Sequence, residues 1–123
     1  MPLGRANVGS EGGRIWKAEV LREALTVRSG NRVDPVLGYR CNRVLGVVLA
    51  GADGAQNFRG LATANSSQAF GHGGAGGQTG WAHPASGISF TYVTNGCDRN
   101  FLRQARRTIE LSTLAVQALV SGR

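Results

Sequence analysis

Apolar residues at Ile15, Val20, Leu21, Ala24 and Leu25 recur at a spacing near the helical repeat, with Glu19 and Glu23 four apart among them. The spacing predicts a helix of about three turns over residues 14–27, ended near Ser29, Gly30 and Asn31. Asp34-Pro35 opens a turn, and the short β-branched run over residues 44–49 reads as a strand. Residues 51–60 read as a loop, because Gly51, Asp53, Gly54 and Asn57 all favour turns. Further on, Ile88, Phe90 and Tyr92 alternate with Ser89 and Thr91, which puts the three apolar residues on one face of a strand. Residues 78–82 are expected to pair with it antiparallel through a short loop containing His83, Pro84 and Gly87. A long helix follows over residues 99–119, with Leu102, Ala105, Ile109, Val116 and Leu119 on one broad face. Arg99, Arg103 and Arg107 step along another. The pattern predicts an α+β fold: an antiparallel sheet with the C-terminal helix packed on one face.

Charge changes this picture in one respect. No Asp, Glu, Lys or Arg occurs from residue 60 to residue 97, so that segment suits burial or close approach to another molecule, while the flanks carry all of a formal charge of +7. With 123 residues, 41% of them apolar, the chain supports one modest core and not two domains. Nineteen glycines show no collagen period, and the apolar content is too high for a disordered tail. No apolar run is long enough to span a membrane, and residues 1–10 hold no signal-peptide run, which leaves the cytoplasm as the default compartment. Cys41 and Cys97 lack the paired spacing of a zinc site and read as ordinary buried thiols. Trp81 and Phe90 read as core, and His83, in the hairpin loop, is given no role.

The glycine-rich stretch Phe70-Gly71-His72-Gly73-Gly74-Ala75-Gly76-Gly77-Gln78 could serve three chemistries. A phosphate loop needs a lysine after its last glycine, and Gln78 stands there. A dinucleotide turn must open a helix whose N–H groups meet the pyrophosphate, whereas Thr79-Gly80-Trp81 and then Pro84 follow. The third chemistry is a strand whose backbone N–H groups face a reacting carbonyl, glycine leaving no Cβ in the way. That one agrees with the neighbouring hairpin and calls for no metal or cofactor. Gly76 and Gly77 could equally serve only a bulge or a positive φ, and His72 could be a histidine satisfied inside a turn.

The string from Gly71 to Gly77, with Gly80-Trp81-Ala82-His83-Pro84 and Gly87-Ile88-Ser89-Phe90-Thr91-Tyr92-Val93-Thr94-Asn95-Gly96, resembles the C-terminal end of the β-lactamase-like serine hydrolases. That family includes class C β-lactamases, penicillin-binding proteins and related esterases and lipases. Gly12-Gly13-Arg14-Ile15 and Asp34-Pro35-Val36-Leu37-Gly38-Tyr39 resemble segments shortly upstream in the same family. The resemblance covers about residues 12–119 and makes residues 1–123 a partial domain of that fold. It implies that His72-Gly73-Gly74 matches the Lys-Thr-Gly or His-x-Gly motif on a strand bordering the active site. Ala75 N–H would then be one of two oxyanion donors, and His72 would line the pocket near the substrate carbonyl.

Two family motifs are absent. The nucleophile lies in Ser-x-x-Lys, and since Lys17 is the only lysine, the serine would have to be residue 14, which is arginine. The tyrosine motif Tyr-x-Asn is matched by neither Tyr39-Arg40-Cys41 nor Tyr92-Val93-Thr94, and no serine has glycines two before and two after it. In the family both motifs precede the His-Gly-Gly strand by more chain than stands before His72 here. The resemblance therefore implies a C-terminal part of a serine hydrolase, inactive alone. An ester or β-lactam would be substrate only of a full-length parent, whose export stays open, and an exposed sheet edge would promote self-association. The alternative is a small basic module for anionic partners such as nucleic acid, built on Arg99, Arg103, Arg106 and Arg107. It is disfavoured because no aromatics are interleaved with those arginines, as expected of a solvated face.

Overall fold

The computed structural model describes residues 15–61 and 66–121, the last three by their backbone alone. The expected helix start at Arg14 and the Leu119 side chain lie outside these limits. The element order is α1 (Ala18–Ala24), β1 (Val48–Leu49), β2 (Phe70–Gly73), β3 (Thr79–His83), β4 (Ile88–Tyr92) and α2 (Phe101–Ser121). The four strands form one antiparallel sheet in the order β1-β2-β3-β4, and with the helices they make a mixed α+β domain.

The β3–β4 hairpin forms as the alternation predicts, with Trp81 opposite Phe90 and His83 opposite Ile88. Its loop closes through Gly87 N–H to His83 O at 3.0 Å. Trp81 is buried and its ring lies 5.5 Å from that of Phe90. With Ala50, Leu61, Ala69 and Val116 it makes a small core onto which Ile88, Phe90 and Ala115 pack. Helix α2 closes this face: Trp81 Nε1 donates to Ser112 Oγ at 3.1 Å, both residues being buried. The Arg107 guanidinium lies over the Tyr92 ring at 6.0 Å. On the opposite face, the register aligns Phe70, Ala82 and Ser89 in one row and His72, Gly80 and Thr91 in another. Ser89, Thr91 and His72 are exposed there.

Several elements differ from expectation. Helix α1 is 7 residues long, about two turns; Val20 on it is exposed, and Ile15, expected on its apolar stripe, is exposed ahead of it. It docks on a loop, through Leu45 N–H to Ala24 O at 3.1 Å and Arg28 N–H to Arg43 O at 2.8 Å, with Leu21 and Ala24 half-buried, and so loosely packed an apolar face does not sustain a longer helix. The strand expected over residues 44–49 shrinks to Val48–Leu49, because Val44 N–H bonds Val47 O at 3.0 Å in a tight turn where Gly46 takes φ 76°. In α2, Leu102 is 79% exposed and not on the buried face, since the first turn overhangs the sheet. The rest of the expected face holds, with Val116 buried and Ala105 and Ile109 half-buried, and Ser112 and Ala115 pack beside Val116. Cys97 is exposed and Cys41 half-buried, so neither is the fully buried thiol that the sequence suggests. Among the described residues no helix is long and apolar enough to cross a membrane.

Candidate functional site

The glycine stretch is a strand followed by a turn, not a helix. β2 carries Phe70 to Gly73 between β1 and β3, and Gly74 N–H continues the ladder to Gln78 O at 2.7 Å. Gly71 is required by close approach: a Cβ there would lie 2.2 Å from Gly80 O and 2.6 Å from Trp81 Cβ. The turn itself is closed by Gly77 N–H to Gly74 O at 3.1 Å, with Gly77 at φ 89°. His72 and Gly73 are exposed and sit on the rim of a cleft of about 200 Å³. Asp34, Tyr39, Cys41 and Arg59 line the same cleft. Gly74 and Ala75 lie beyond it, in the turn, where the Ala75 carbonyl accepts a weak bond from Cys97 Sγ at 3.8 Å.

The cleft wall opposite β2 is held by Arg59, a buried cation. Its guanidinium donates to Asp53 Oδ1 at 2.7 Å and Oδ2 at 2.6 Å, to Ala50 O at 2.5 Å and to Arg40 O at 2.7 Å. These bonds hold the Asp53 carboxyl far below the usual carboxylate range. Tyr39 stacks on Phe58 with rings 5.6 Å apart, and its hydroxyl donates to Phe58 O at 2.8 Å. Burial pushes its phenol up, which favours the protonated form. Asp34 accepts the N–H groups of Leu37 and Val36 at 3.0 and 2.9 Å, which hold its carboxyl below its ordinary value. Cys41 Sγ donates to the second oxygen of Asp34 at 3.9 Å.

A second polar group was not legible in the sequence. His83 ends β3, is half-buried, and lies between two serines: Nε2 is 2.6 Å from Ser66 Oγ and Nδ1 is 2.7 Å from Ser86 Oγ. Burial pushes its imidazole down, favouring the neutral ring. The default of an exposed loop histidine fails because the strand runs one residue further than the alternation suggests. The Ser86 contact has a local signal, the three-residue spacing across a turn; Ser66 is brought in only by the tertiary fold.

The arginines of the alternative reading are largely engaged. Arg103 binds Asp98 through two bonds of 2.7 and 2.9 Å, holding that carboxyl at about 2 with help from Asn100 N–H, and Arg106 binds Glu110 at 2.8 Å. Among the described residues no group of three His, Cys, Asp or Glu side chains gathers in an arrangement able to hold a metal ion. No family model, curated protein or solved structure matches the chain.

Proposed function

We propose that the chain is the C-terminal part of a β-lactamase-like serine hydrolase, an acyl-transfer enzyme acting on carboxylic esters or β-lactams. It carries the His-Gly-Gly strand with Ala75 as an oxyanion donor, and it is without turnover by itself. The observation that carries the reading is the meeting of two segments distant in sequence. The 34–39 segment and the His72-Gly73 strand end, both of which bear the family resemblance, border one cleft. The oxyanion role of Ala75 rests on the resemblance: Ala75 lies in the turn just after β2, and an N–H donor held in such a turn costs little reorganisation when charge develops on a carbonyl oxygen. The apolar surface on α2 supports a missing complement, with Phe101 69% and Leu114 59% exposed.

The test is hydrolysis of a p-nitrophenyl ester and of a chromogenic cephalosporin by the purified chain. The expected result is no sustained turnover. Sustained turnover that falls in the His72→Ala variant would mean that a complete catalytic centre is present, and would end the proposal of a part lacking its nucleophile. The basic-module alternative predicts steeply salt-dependent retention on a polyanion column; with Arg103 and Arg106 already paired, a shallow dependence is expected.

A further inference from the structure

The end of β3 holds a hydrogen-bonded chain of side chains that the hydrolase reading leaves unused. The neighbouring bonds bear on the proton directions along it. Ser66 Oγ accepts Gln68 N–H at 3.3 Å, which leaves the hydroxyl proton of Ser66 for His83 Nε2 at 2.6 Å. Ser86 Oγ lies 3.3 Å from His83 O, to which it can donate, and 2.7 Å from Nδ1, whose proton it can accept. These distances are compatible with the Nδ1–H tautomer, in which Nε2 carries the free lone pair, and a base role for His83 requires it. Ser66 is exposed and reachable from solvent, while the imidazole is half-buried and kept neutral by its burial.

A hydroxyl bonded to the free nitrogen of a neutral imidazole, whose other nitrogen is fixed by a third group, is the general arrangement of an activated oxygen nucleophile. His83, though not Ser66, also lines a cleft of about 290 Å³, together with Phe70, Ala82, Pro84, Ile88 and Ser89. Among the described residues its lining holds no formally charged side chain, so it suits a short uncharged acyl group. From this geometry we infer that Ser66 is a nucleophilic hydroxyl that accepts an acyl group from uncharged activated esters, with His83 as its base and Ser86 orienting the imidazole.

The step balances without a co-reactant. Ser66 Oγ forms a bond to the ester carbonyl carbon while its proton passes to His83 Nε2. The carbonyl–alkoxy bond then breaks, and the leaving oxygen departs with the electron pair, taking the proton from Nε2 or leaving it to solvent. The product is an acyl-Ser66 ester, formed once per chain. The inference uses other residues than the His72 cleft and a different readout, a stoichiometric adduct and not sustained turnover, so either can fail alone.

The full chain is incubated with p-nitrophenyl acetate, and the adduct is located by peptide mass mapping. One acetyl on Ser66 with a burst of about one equivalent of p-nitrophenolate is expected. Ser66→Ala should abolish that adduct, and His83→Gln should slow its formation by about 100-fold, the scale of a positioned base. Ser66→Cys leaves His83 and the hairpin in place, and should carry the acetyl as a thioester at the same position; it decides the matter if His83→Gln loses its far-ultraviolet circular dichroism. Acetylation confined to Lys17, the α-amine or the native cysteines would overturn the inference. So would an unchanged Ser66 rate in folded His83→Gln, or an unlabelled Ser66→Cys.

Discussion

Gly71 and Arg59 fix the geometry of the candidate cleft at the scale of single residues. Gly71 has no room for a methyl group against the Gly80 carbonyl and the Trp81 backbone, and neither neighbour is a flexible side-chain end that can swing aside. Gly71→Ala is expected to cost about 3 kcal/mol, at the upper end of overpacking penalties, seen as a lowered midpoint in urea unfolding. Arg59 has 1% of its side chain exposed and ties its own segment to Arg40 and to the loop of Ala50 and Asp53. Arg59→Met removes the cation while leaving the Asp53 carboxylate and two carbonyls without their donor; about 3 kcal/mol of destabilisation is expected by the same measurement. Asp53 and Asp98 both have folded-state pKa values below their ordinary 3.8, Asp98 at about 2. Their contribution to stability is therefore complete above the unfolded value and is lost as pH falls through the folded one. Thermal midpoints should drop steeply between about pH 4 and pH 2, and Asp53→Asn should flatten part of that drop; a midpoint indifferent to pH over that window would contradict the role given to these pairs.

Among the elements, α2 and the β3–β4 hairpin form the working unit, coupled by the buried Trp81–Ser112 bond. Ser112→Ala leaves the indole N–H buried without an acceptor and is expected to cost about 1–2 kcal/mol, together with a changed Trp81 fluorescence. The hairpin and the long helix were legible because their periodicities, two and near 3.6, run through Ile88-Ser89-Phe90-Thr91-Tyr92 and through the Ala105, Ile109 and Val116 stripe. The lengths of helix α1 and the 44–49 strand were not, for a shared reason: local pattern proposes an element, but packing decides where it stops. Val20 meets solvent and Gly46 takes a left-handed turn, so both elements stop early. The strand nature of the glycine stretch was legible in the absence of any helix signal after Gln78. Its meeting with residues 34–41, and that of Ser66 with His83, depend on tertiary closure across 17 or more positions and leave no periodic trace.

For the whole molecule, the balance of surfaces is the informative feature. The buried core is small, while β4 lies at a sheet edge and apolar side chains such as Val36, Val93 and Leu102 stand in solvent. A short exposed strand beside unpartnered apolar surface favours pairing with a second chain. Size-exclusion chromatography should show a species larger than the 12.9 kDa chain, shifted toward monomer by Thr91→Lys on the open face beside that edge. A clean monomer with a sharp thermal transition would count against a missing complement. The most direct measurement is the base sequence upstream of the Met1 codon, read in all frames. A Ser-x-x-Lys pattern followed by Tyr-x-Asn, ahead of the strand that bears His72, is the expected result. An upstream region without them in any frame would contradict descent from a serine hydrolase of this kind.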